Sequence, residues 1–144
     1  MKREKFGFES GLVELEVNDS GRIIRLNPAD AGFAETLYDL VRQLNAIHKE
    51  KSAATKDAPE DEQFSLRRSE DAAMREAVDA IFGEGFCGDV FPGMRLFALA
   101  EGLTVVENFI FALLDRMDED ITSNLAKRDA RIAKYTAKYK KYKK

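Results

Sequence analysis

The stretch LVELEVNDSGRIIRLNPAD, residues 12–30, changes its hydrophobic period partway along, and that change decides the fold. Val13, Leu15 and Val17 alternate with Glu14 and Glu16, the two-residue period of a half-buried strand. Asn18, Asp19, Ser20 and Gly21 are turn formers, and Gly21 is free to take positive φ. Ile24 and Leu26, either side of Arg25, return the chain as a second strand. A lone two-stranded hairpin is marginal in water, so its apolar face needs a cover. Asn27-Pro28-Ala29-Asp30 begins that cover. Asn27 is a capping residue, Pro28 fits the first helical position, and Asp30 favours the positive helix end. Phe33, Leu37, Leu40, Val41, Leu44 and Ile47 then recur every three or four residues and predict a helix over about 28–49, with His48 beside the stripe.

Working outward, residues 50–63 carry no apolar period and read as a mobile linker. Ala73, Met74, Ala77, Val78, Ile81 and Phe82 predict a second helix over about 65–82. A glycine- and aromatic-rich loop spans 83–93. A third helix is expected to start near Met94, with Leu96, Leu99, Leu103, Val106, Ile110, Leu113, Leu114 and Met117 on its stripe and the core at its centre. Asp118-Glu119-Asp120 and Thr122-Ser123-Asn124 admit a break there. Against a break, Leu114, Asp118, Ile121, Leu125, Arg128, Ile132, Tyr135, Tyr139 and Tyr142 step by four and three, as in a heptad seam. The expected fold is mainly α (α+β): an N-terminal β-hairpin packed on a small helical bundle, with a long C-terminal helix.

Composition excludes more than it assigns. A length of 144 residues fits one domain that buries roughly two-thirds of its unfolded surface. A single cysteine, Cys87, excludes a disulfide framework and a cysteine-based zinc site, and a single histidine, His48, excludes a His-rich metal site. Cys87 reads as a small buried hydrophobe and His48 as an exposed or helix-end group, because neither has a partner base or ligand set in the sequence. The acidic clusters Glu60-Asp61-Glu62 and Asp118-Glu119-Asp120 lack the spacing of a calcium loop. Gly83-Glu84-Gly85-Phe86-Cys87-Gly88 matches G-x-G-x-x-G literally, yet a helical pattern precedes it where a dinucleotide fingerprint needs a strand. Glu84 and Asp89 would also repel a pyrophosphate, so these glycines are read as helix punctuation. No apolar run approaches the ~20 residues of a membrane span, and Met1-Lys2-Arg3-Glu4-Lys5 leads into no signal-type stretch. The expectation is a cytoplasmic protein that is not an enzyme, with no cofactor, no metal and no membrane contact.

The net charge of −3, from 23 Lys and Arg against 26 Asp and Glu, hides an asymmetry. Residues 127–144 carry nine cations and one anion, a charge of +8; residues 1–126 carry 14 cations and 25 anions, a charge of −11. The chain therefore divides into an acidic helical body, 1–126, and a basic Tyr/Lys-rich helix or tail, 127–144. Within the tail, Ile132, Tyr135, Tyr139 and Tyr142 share a helical face among Lys134, Lys138 and Lys141. Those seven residues are the candidate partner-binding set. The face suits docking of a partner or of a second copy, giving a homo-oligomer. A nucleic-acid contact through phosphates and base stacking ranks below it, and a frayed terminus without a role stays open.

Several of these segments together carry a resemblance. Leu26-Asn27-Pro28-Ala29-Asp30 with Phe33-Ala34-Glu35 after a short hairpin is similar to small proteins of siphophages and prophages of Gram-positive bacteria. So are Ala80-Ile81-Phe82-Gly83-Glu84-Gly85 with Val90-Phe91-Pro92-Gly93 before a Phe/Leu-rich helix, and the tail Arg131-Ile132-Ala133-Lys134-Tyr135-Thr136. In size and layout the chain resembles their tail assembly chaperones. The resemblance implies a non-enzymatic phage tail assembly factor of the bacterial host cytoplasm that binds the tape-measure protein, oligomerises and is absent from the finished virion. It brings no catalytic residues. The length and basic tyrosine content of the final helix depart from the chaperone pattern. The alternatives are a virion structural or oligomerising protein, or a nucleic-acid-binding accessory protein acting through the tail.

Overall fold

The chain is mainly α with a small β component in a computed structural model that describes residues 1–142, the side chain of Lys141 excepted. Strands β1 (Val13–Glu16) and β2 (Ile23–Leu26) pair antiparallel, with Val13 opposite Leu26 and Leu15 opposite Ile24. These are the inward positions of the alternation: Ile24 and Leu26 are buried, while Glu14 and Arg25 form an ion pair at 2.6 Å on the outer face. The turn closes through Asn18 at φ 48° and Gly21 at φ 76°.

Helix α1 (Ala31–Lys56) starts three residues later than Pro28 and ends well past Lys49. Asp30 is its cap and accepts from the Gly32 N–H at 2.9 Å, whereas Asn27 makes a turn by accepting from Ala29 N–H at 2.9 Å. Helix α2 (Glu60–Phe82) likewise starts ahead of Ser65. The expected mobile linker over 50–63 is therefore helical on both sides of a short break at 57–59. Ala53, Ala54, Glu50, Lys51 and Lys56 are good helix formers that need no apolar stripe. Pro59 caps α2, and Glu60, Asp61 and Glu62 lie in its first turn, where negative charge is favoured.

Gly83 ends α2 by donating its N–H to the Asp79 carbonyl at 2.8 Å. It adopts φ 115°, a conformation open to glycine, and Arg22 crowds the space a Cβ would take. Gly85, left-handed at φ 75°, leads into the short α3 (Phe86–Val90). Phe86, Cys87, Val90 and Phe91 are all buried, so the loop plugs the core. Phe82, Phe86, Phe91 and Phe109 make one aromatic cluster, with ring centroids 4.8 Å apart for Phe82–Phe86 and 5.7 Å for Phe91–Phe109. A polar row on α2 clamps this loop. The Asp71 carboxylate accepts from Leu96 N–H, Arg75 donates to the carbonyls of Cys87, Phe91 and Met94, and Asp79 accepts from Cys87 N–H.

The third major helix does not begin near Met94. Leu96 is buried in an irregular segment, and the two-residue strands β3 (Leu99–Ala100) and β4 (Leu103–Thr104) follow, joined by Glu101 at φ 54° and Gly102 at φ 85°. Leu99, expected on the core stripe, is 81% exposed. Helix α4 (Val105–Tyr139) starts at a reciprocal cap: Thr104 Oγ1 accepts from Glu107 N–H at 3.2 Å, and the Glu107 carboxylate accepts from Thr104 N–H at 2.8 Å. Val106, Ile110, Leu113 and Met117 then enter the core. The helix continues through 118–124 without a break, and the polar groups there are satisfied within it: Arg116 pairs with Asp120 at 3.2 Å, and Asn124 donates to the Asp120 carbonyl at 2.8 Å. At 35 residues α4 is about 52 Å long.

Candidate partner-binding site

Successive residues of α4 turn by about 100°. On that basis Val106, Ile110, Leu113 and Met117, which are buried, share an arc of about a third of the helix surface with Ile121, Leu125, Ile132, Tyr135 and Tyr139. The face is continuous; its cover is not. Ile121 is half-buried, and from Thr122 onward every residue with a described side chain is exposed. Leu125, Ile132, Tyr135 and Tyr139 stand 56%, 49%, 40% and 66% exposed, on a rod that projects for about 27 Å beyond Ile121.

One cation of the candidate set, Lys138, and Arg131 outside it gather around Tyr135. Arg131 donates to the Tyr135 hydroxyl at 3.3 Å and places its guanidinium 5.8 Å from the ring centroid; the Lys138 ammonium lies 5.3 Å from the same centroid. The Arg131 hydrogen bond, then the Arg131 and Lys138 charges, lower the pKa of the Tyr135 phenol from its ordinary value. Lys134 is exposed and one helical turn from Lys138. Tyr142 belongs to a single 3₁₀ turn, Lys140–Tyr142, where the helix tightens, and it is 81% exposed. The side chain of Lys141 lies outside the described residues. The helix thus brings Ile132, Tyr135 and Tyr139 onto one face with Lys138 at its edge, whereas Lys134 lies about 160° round the helix from Ile132.

Elsewhere the titratable groups are occupied with structure. Burial first, and then a hydrogen bond to Asp79, push the Cys87 thiol up to about 12, which leaves it protonated and poorly nucleophilic at neutral pH. His48 does not sit at a helix end: it lies within α1 and bridges to Glu70 of α2 at 2.5 Å, with its ring 4.8 Å from that of Phe97. This pair forms one wall of a cleft of about 480 Å³, with Arg67 and Arg95 also lining it beside Met74 and Phe97. Among the described residues no three His, Cys, Asp or Glu side chains converge as a metal site, and no helix is long and apolar enough to cross a membrane.

Two features had no signal in the sequence pattern. One is the Asp71–Arg75–Asp79 clamp, whose ligands are backbone atoms. The other is a groove of about 530 Å³ between the hairpin and α4, walled by Leu15, Val17, Phe91, Phe109 and Leu113. The structure assembles it from five separate stretches of sequence, so no local spacing announces it. Compared with known proteins, the chain matches no family model, no curated protein and no solved structure.

Proposed function

We propose that the chain is a non-enzymatic, chaperone-like phage tail assembly factor that holds a helical segment of the tape-measure protein against the outer half of α4. The observation that supports this is the run-off of a core stripe: the face that buries Met117 continues for more than four turns with nothing of the described chain against it. A soluble rod bearing Leu125, Ile132, Tyr135 and Tyr139 on one side is the form taken by helices that pair with another helix. Tyrosine suits such a surface, because its ring is buried by the partner while its hydroxyl keeps a polar contact. The flanking Lys and Arg side chains select a partner with acidic residues beside its apolar face, and they speed encounter more than they strengthen the final complex.

That the partner belongs to a phage tail, that the work is done in the host cytoplasm, and that the factor is absent from the virion all rest on the resemblance of residues 26–35, 80–93 and 131–136. Catalysis has no place in this scheme. The single thiol is held protonated, and the single imidazole is tied to Glu70. Co-expression with the tape-measure protein is the test. Full-length chain is expected to co-purify with it, Tyr135→Asp with Tyr139→Asp to lose it, and deletion of the gene to abolish tails. No co-purification together with normal tails after deletion contradicts the proposal. Mass spectra of purified particles separate it from a virion protein, and salt-insensitive capture separates it from a nucleic-acid binder.

A further inference from the structure

Residues 1–12 form neither helix nor strand, and they expose Phe6 at 91%, Phe8 at 79% and Leu12 at 60%. Positions 6 and 8 fall on one side of an extended chain, so both rings present together. Only the base of this arm is held: Asn27 donates to the Ser10 carbonyl at 3.3 Å, and Gly11, at φ 76°, lies so close to the Asn27 side chain that a Cβ would meet it at 2.7 Å. The arm is thus tied to the hairpin at Ser10 and Gly11 and carries two unburied aromatic rings beyond that tie.

The groove between the hairpin and α4 is the complementary feature. Phe91 and Phe109 give it an aromatic wall, Ala112 leaves room beside them, and its size falls within the range of pockets that enclose a ligand. Glu16 lines the groove, and Asp19 stands in the adjoining turn; neither has an ion pair among the described residues. Arg3 and Lys5, which precede the two phenylalanines, likewise have none. The aromatic rings of the arm match the apolar wall of the groove, and its cations Arg3 and Lys5, set among Glu4 and Glu9, face Glu16 on a rim that also holds Arg116.

We propose that the arm of one copy lies in the groove of a second copy, with Phe6 and Phe8 against Phe91 and Phe109 and with Arg3 and Lys5 toward Glu16 and Asp19. In a reciprocal exchange each copy buries its own two phenylalanines, about 300–500 Å², and a similar area of its groove under the other arm, together on the order of the 800 Å² per partner of a standard-size interface. The exchange also covers part of the hairpin, whose two edges are otherwise open to pairing. This surface is separate from the outer half of α4 and leaves that helix free for its own partner.

The chain has no tryptophan, and its one cysteine is buried, so reporters can be placed cleanly. Sedimentation of the full chain is expected to give a dimer, and Phe6→Ser with Phe8→Ser a monomer of unchanged helical content. Mixing a Phe8→Cys chain with an Ala112→Cys chain is expected to yield a disulfide-linked heterodimer on mild oxidation. Phe8→Trp is expected to show emission that shifts to the red on dilution as the arm is released. The proposal is overturned by a mass that the Phe6→Ser, Phe8→Ser chain leaves unchanged. It is equally overturned if the double variant Phe8→Cys, Ala112→Cys closes its disulfide within one chain, or if self-association is lost only on Tyr135→Asp with Tyr139→Asp.

Discussion

The inner half of α4, Val105–Ile121, and the outer half, Thr122–Tyr139, are one unbroken helix with one continuous face, yet they have different physical bases. The inner half is helical because Val106, Ile110, Leu113 and Met117 are buried in the core that α4 shares with α1 and the aromatic loop. The outer half has no such burial. It is held by good helix formers, Ala and Lys above all, by the Arg131–Tyr135–Lys138 contacts, and by growth from a turn already formed. Starting a helix is the costly step, and the inner half has taken it. The comparison teaches that hydrophobic period reports which face of a helix is apolar and says nothing about what covers it. On α4 the face outruns its cover, and the surplus is the surface proposed for docking.

The two halves should therefore answer perturbation differently. Phe86→Ala empties a fully buried site at the centre of the aromatic cluster and should cost about 3–5 kcal/mol, read as a lower midpoint in urea. Thr104→Ala removes the cap at the start of α4 and should cost about 1 kcal/mol, read as a lower urea midpoint of the helical circular dichroism signal. Cys87 gives a pH-dependent version of the same contrast. The folded chain keeps a thiol proton that the unfolded chain gives up, because burial raises the pKa from 9.0 to about 12. Stability present below pH 9 should thus fall as pH rises from 9 toward 12, and Cys87→Ala should flatten that decline. Smallest of all on stability, Tyr135→Asp with Tyr139→Asp should shift the midpoint by no more than about 0.5 kcal/mol per residue while abolishing partner capture.

Much of the body is legible from particular residues. Val13, Leu15, Ile24 and Leu26 announce the hairpin and its inward face, and the structure places them there. Leu37, Leu40 and Leu44 likewise reach the core at the spacing that predicts α1. Boundaries fare worse, for physical reasons. Residues 50–56 are helical on propensity without any apolar stripe, so a search for periodicity passes over them. Leu96 fits a helical period by coincidence: it is buried from an irregular segment pinned by Asp71. The true start of α4 was readable, because Thr104 followed by Glu107 is a capping box directly after Glu101-Gly102.

At the candidate site, the shared face of Ile132, Tyr135 and Tyr139 is visible in the spacing. That α4 remains one helix across Asp118–Asn124 is not, because the charges there are resolved by Arg116 and Asn124 bonding back along the helix. The groove beside the hairpin and the arm that matches it are legible only in three dimensions.

Hydrogen exchange resolved along α4, measured on the chain alone and with the proposed tape-measure partner added, separates the two halves most directly. Slow exchange is expected over 105–121 in both samples. Over 122–139 fast exchange is expected in the free chain and strong protection with the partner added. Equal exchange of residues 122–139 with and without the partner would contradict the proposed docking on the outer half.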